Sequence, residues 1–135
     1  MKTLLLLTFL SLFISNSYCQ TTENANSFLD AAICDKITHD EKSGITFTQD
    51  ELENCELKIN PVDTNYTVSS FKLTIIPRDP SGNPVEYEII GNIISEKVRT
   101  EIASNAKSVF LEYIKAKNPG GGIVMVRPIK IFVNP

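Results

Sequence analysis

The sequence predicts a mainly β domain, a sandwich crossed by one helix, and three observations lead there. Val68 to Ile76 and Val85 to Ile89 are rich in β-branched and aromatic residues and alternate apolar with polar side chains. Dense groups of turn formers, Pro77-Arg-Asp-Pro-Ser-Gly-Asn-Pro84 and Asn118-Pro-Gly-Gly-Gly122, punctuate these runs. In the second half, helical spacing of apolar residues is confined to the stretch after Ser95.

The N-terminus reads as a targeting segment. Lys2 supplies a positive start, Leu4 to Ile14 is apolar apart from Thr8 and Ser11, and Ser15 to Cys19 is polar and ends in small residues. Residues 1–19 therefore have the build of a cleavable signal peptide, cut between Cys19 and Gln20. The apolar run is about half the roughly 20 residues that a membrane-spanning helix needs, so the mature chain is expected to carry no transmembrane segment. Acylation of Cys19 is the competing outcome, and the bulk of Tyr18 stands against it. Intact-mass measurement separates the two: a chain beginning at Gln20 is expected, and an acyl addition on Cys19 overturns it.

Residues 20–43 form the next segment. Gln20 to Asn26 is polar, whereas Phe28, Ala32, Ile33 and Ile37 fall at near-helical spacing and predict a short N-terminal helix ending by Ser43-Gly44. The β domain is expected over residues 44–135. Ile45 to Thr48 favours a strand, and Thr48-Gln-Asp-Glu51 a turn or a capped helical turn. Cys55, Leu57 and Ile59 alternate with Glu56 and Lys58 as a half-buried strand would. Val68–Ile76 and Val85–Ile89 follow as a hairpin whose Glu86 and Glu88 face Lys72. Ser95 caps a helix with Val98, Ile102 and Ala106 on one stripe and a Lys97–Glu101 pair outside it. Val109 to Ala116 is apolar on both faces, the pattern of a central strand covered on two sides. Two strand pieces, Ile123–Val126 and Ile129–Val133, close the chain around Pro128.

Composition narrows the function classes. Without residues 1–19 the chain carries 12 basic and 16 acidic side chains, a balance of −4 that disfavours nucleic acid as a partner. Acidic residues concentrate between Glu23 and Glu56. Loss of Cys19 leaves Cys34 and Cys55, an even pair expected to form a disulfide in an oxidising compartment. With His39 the one histidine, no metal set of zinc-like spacing exists. Gly120 to Gly122 lies between strands and reads as a hairpin turn, without the following helix of a phosphate loop. Asp50, Glu51 and Glu53 crowd a polar turn with no apolar neighbours to raise a pKa. No catalytic residue, cofactor site or metal site is expected. Asn65-Tyr66-Thr67 matches a glycosylation acceptor pattern.

Several short stretches resemble the C-terminal domain of the gliding-motility GldM/PorM family. Val109-Phe-Leu-Glu-Tyr-Ile-Lys-Ala-Lys-Asn-Pro-Gly-Gly-Gly and Arg127-Pro-Ile-Lys-Ile-Phe-Val133 are similar to that domain's closing hairpin. Val68-Ser-Ser-Phe-Lys-Leu resembles one of its strands, Ser95 to Lys107 its short helix, and Gly44 to Leu52 its opening stretch. The likeness covers about residues 44–135. It implies an immunoglobulin-like sandwich, a periplasmic or secreted location, and protein partners in the envelope machinery of gliding and type 9 secretion. The turn at Asn118 lacks the family's aspartate, and a removable leader stands in place of the family's anchoring helix, which implies a free module instead of a rod. The resulting expectation is an exported, non-enzymatic protein-binding module. A secreted inhibitor inserting the Arg78–Pro84 loop into a hydrolase cleft is the alternative.

Overall fold

A computed structural model describes residues 28–38 and 44–135. The expected leader over residues 1–19, its expected Cys19/Gln20 cleavage pair, His39 and Ser43 lie outside the described residues. Strands take up 51% of what is described and helices 16%, so the fold is mainly β. In chain order the elements are β1 Ala31–Ile33, β2 Lys36–Ile37, β3 Ile45–Thr48, α1 Gln49–Asn54, β4 Asn60–Pro61, β5 Thr67–Pro77, β6 Val85–Ile90, α2 Glu96–Asn105, β7 Ala106–Lys117, β8 Ile123–Met125 and β9 Ile129–Asn134.

The strands form two sheets. The larger runs β3-β9-β7-β5-β6, with β8 also on β7; the smaller runs β2-β1-β4. All pairings are antiparallel except β3 with β9, where Ile45 to Thr48 lie beside Ile131 to Asn134. The period-2 pattern explains which face is covered: Phe71, Leu73 and Ile75 of β5 align with Val109 and Leu111 of β7 and with Ile129 and Ile131 of β9, and all are buried. Ala31, Ile33, Leu57 and Ile59 from the N-terminal segments join Leu52 of α1 and Val98, Ile102 and Ala103 of α2 in the same core. Two sheets and two helices thus enclose one core, consistent with a β-sandwich. The one-helix-between-two-hairpins order of the second half stands as expected.

The helical reading of Phe28 to Ile37 does not hold, for a physical reason. Ala32 pairs with Ile37 and Ile33 with Lys36, so β1 and β2 form a hairpin around Cys34 and Asp35. Both turn residues have positive φ, 50° and 62°, the backbone twist that a two-residue hairpin loop requires. Ala31 and Ile33 then point inward at alternate positions while Ile37 is 46% exposed, which a helical stripe would not allow. The apolar spacing fits either period over so short a stretch. The Cys55–Ile59 segment is also modified: Leu57 and Ile59 are buried as alternation predicts, but ladder pairing is limited to a Lys58–Ile93 bridge before β4.

β7 is central, yet its outer face is not covered. Tyr113 has φ 52° and is 66% exposed. Beside it the register with β5 slips between Ser70 and Lys72. This bulge inserts one residue, so Val109 and Leu111 before it and Ile114 and Ala116 after it all face the core. The apparent two-faced pattern is one inward face whose phase changes at Tyr113.

On the outer face, Phe132 lies beside Thr46 and Ser108, and Lys130 sits over the rings of both Phe110 and Phe132. Gly44 makes this close packing possible. At its φ of 64° a Cβ would come within 2.7 Å of the Phe132 ring and 3.0 Å of the Lys130 carbonyl oxygen. Gly44→Ala is expected to destabilise the domain by roughly 1–3 kcal/mol, combining left-handed strain with displacement of the ring. A denaturant titration measures it.

Candidate functional site

The residues singled out in the N-terminal half converge on one place. Cys34 of the β1–β2 turn forms a disulfide with Cys55, the residue that ends α1. Arg99 of α2 donates to the Cys55 carbonyl at 3.0 Å, tying the bridge to the second helix. Beside it opens a cleft of about 550 Å³ lined by Cys34, Lys36, Phe47, Glu51, Cys55 and Lys58, among others. Lys36 crosses this cleft. Its ammonium donates to the Thr46 carbonyl at 2.7 Å and to Glu51 Oε1 at 2.9 Å, and lies 4.4 Å above the Phe47 ring centroid.

Glu51 is held by α1 itself. The Glu51 backbone N–H donates to the Thr48 hydroxyl and its carboxylate accepts from the Thr48 backbone N–H, the reciprocal capping box foreseen in Thr48-Gln-Asp-Glu51. That backbone hydrogen bond, and then Lys36, hold the Glu51 carboxyl below its ordinary value. A depressed folded value means that its contribution to stability is present above the unfolded carboxylate pKa and lost as pH falls through the folded one. Glu51→Gln is therefore expected to flatten this part of the acid limb, leaving stability near neutrality closer to its acid value. Denaturant midpoints across an acidic pH series check this. Asp50 and Glu53 are exposed, and Glu53 accepts from Gln49. The carboxylates of this turn thus serve helix capping and solvent contact. Asn65 is exposed in the loop before β5 and donates to Asp63 at 3.0 Å.

The Arg78–Pro84 loop is anchored. Arg78 donates from its backbone N–H to Asn105 and from its guanidinium to the Ala106 carbonyl, while Asp79 accepts from the N–H and hydroxyl of Ser81. The arginine is committed to the end of α2 and does not project from the loop tip. A second opening of about 510 Å³ lies under this loop, with Ile75, Val85 and Glu101 in its wall.

The third feature is the end of the large sheet. β6 pairs with β5 alone. Lys72 bridges to Glu86 at 3.0 Å, and that hydrogen bond raises the lysine pKa. Tyr87 donates to Glu101 of α2, which raises the tyrosine pKa. Glu101 therefore serves Tyr87, and the expected Lys97–Glu101 pair is not formed. Along this strand and just beyond it, Val85 is 39%, Ile90 86% and Ile93 46% exposed. The edge was not legible in the sequence, because local alternation identifies a strand without saying how many neighbours it has.

Among the described residues, no group of three or more His, Cys, Asp or Glu side chains gathers as a metal-binding set, and no helix is long and apolar enough to cross a membrane. Fold and site together define a disulfide-bonded, mainly β domain with an open sheet edge. Comparison with protein-family models and with curated proteins finds no match to the chain. The disulfide fits a compartment outside the reducing cytoplasm.

Proposed function

We propose that the chain is an exported, non-enzymatic protein-binding module that works in the periplasm or outside the cell. The observation that carries this reading is the open side of β6, a strand that pairs with β5 alone and ends on Ile90, which is 86% exposed. A strand edge with unpaired backbone donors and acceptors is a ready template for an added segment of another chain. The disulfide supports export, as does the leader over residues 1–19. The resemblance of residues 44–135 to the GldM/PorM terminal domain directs the search for partners to the gliding and type 9 secretion apparatus. Affinity capture from envelope extracts is expected to recover one defined protein reproducibly, and an Ile90→Lys variant to lose it. Equal recovery by the variant, or no reproducible partner, overturns the proposal.

A further inference from the structure

The two ends of the large sheet are finished differently. At one end, β3 turns the Thr46 carbonyl outward and the Lys36 ammonium occupies it at 2.7 Å. The outer side of β8 is closed by Leu29, whose N–H donates to Met125 and whose carbonyl accepts from Arg127. A side chain or a bridging residue on an edge is how sheets avoid unwanted pairing. Beyond β6, no described residue takes that place.

The polarity of the β6 edge follows from its ladder. Gly91 donates to the Ser69 carbonyl, and the register with β5 is regular from Ser70↔Ile90 to Ile75↔Val85. Antiparallel pairs alternate, so Tyr87 and Ile89 exchange bonds with β5, whereas the N–H and C=O groups of Glu86, Glu88 and Ile90 point away from it. Those three residues also share the outer face, where Glu112 of β7 and Glu88 both lie opposite Lys72. Lys72 is already paired with Glu86. Lys115, opposite Ser70, also lines this face, so three carboxylates share it with two ammoniums, and Glu86 and Glu88 lie beside an unfilled row of backbone donors and acceptors.

We propose that β6 is completed by an extended segment of a protein partner, added antiparallel along Glu86 to Ile90, with basic side chains facing Glu86 and Glu88. This rests on the protein-binding reading above and specifies its site. Opposite charges across strands favour pairing and like charges directly opposite oppose it. A second copy of this chain is a poor occupant for that reason. Antiparallel self-pairing about Glu88 would set the two Glu88 carboxylates against each other, and pairing about Tyr87 would set Glu86 against Glu88.

The test uses two capped eight-residue peptides, one alternating lysine with valine and one with glutamate in place of lysine. Amide hydrogen exchange is followed residue by residue. In the free protein, the amides of Glu86, Glu88 and Ile90 are expected to exchange faster than those of Tyr87 and Ile89. The lysine peptide should slow the first three and bind about tenfold or more tightly than the glutamate peptide, the scale that two or three favourable cross-strand pairs allow. Glu88→Lys should reverse the preference. Glu88→Pro, placed where the N–H points away from β5, should keep the fold and lose both peptides. Prior protection of the three amides in the free protein overturns the proposal, as do equal binding of the two peptides, effects confined to another surface, or no response at millimolar peptide. Retention of an envelope partner by Glu88→Pro would overturn the edge assignment while leaving the binding-module reading intact.

Discussion

Replacing Cys34 and Cys55 together with serine is expected to lower the stability of the domain by about 3 kcal/mol, read as a shift of the denaturant midpoint under non-reducing conditions. The two cysteines are 21 residues apart. Closing a loop of that length removes roughly 3 kcal/mol of chain entropy from the unfolded state. Against a typical total of about 5–15 kcal/mol for a domain, this is a large share. The effect should be concentrated in space. Cys34 sits in a hairpin turn with positive φ at two non-glycine residues, and β1 with β2 contributes only Ala31 and Ile33 as buried apolar anchors. Without the bridge, hydrogen exchange of β1 and β2 should therefore accelerate before that of β5 and β7. Equal stability of the oxidised protein and the double variant would show that the remaining contacts already hold the hairpin.

Phe47→Ala is expected to cost about 3–5 kcal/mol, the usual range for emptying a fully buried phenylalanine site. Phe47 has no exposed surface, and it sits on β3 beside Val133 in the parallel pairing that closes the sheet. The same ring lies beneath the Lys36 ammonium. Its removal therefore leaves both a core void and an ammonium deprived of part of its support. Lys36→Met separates these terms. It keeps an unbranched apolar side chain over the ring while deleting a partly exposed ion pair worth at most about 1 kcal/mol, so its loss should be much smaller. Comparable losses for the two variants would mean that the charge, and not the ring, holds β3 in place.

Most of the second half was readable because its elements are long relative to the period they express. β5 spans eleven residues, so its alternation from Val68 to Ile75 admits a single phase. Ser95 announced α2, and its side chain accepts from the Val98 N–H as an N-cap should. Thr48 and Glu51 announced the cap of α1 in the same way. The β1–β2 hairpin was misread because three-residue and two-residue strands are shorter than the window in which a helical period and a strand period differ. Its turn residues, Cys34 and Asp35, are also not the Asn-Gly type that signals such a loop. Tyr113 was misread because a bulge shifts phase without a glycine to mark it.

By itself the sequence determined the β-rich class, the strands of the C-terminal half, both helix caps and the cysteine pair, since each depends on residues close in the chain or on a count. Tertiary structure alone decided which strands are neighbours. Ile45 to Thr48 pair with Ile131 to Asn134 across almost the whole domain, and β7 returns after α2 to take the free side of β5. That return leaves β6 with one neighbour. The open edge, with Glu86, Glu88 and Ile90 turned outward, is thus a product of non-local pairing, because hydrogen bonding across a sheet depends on spatial order and no local period encodes that order.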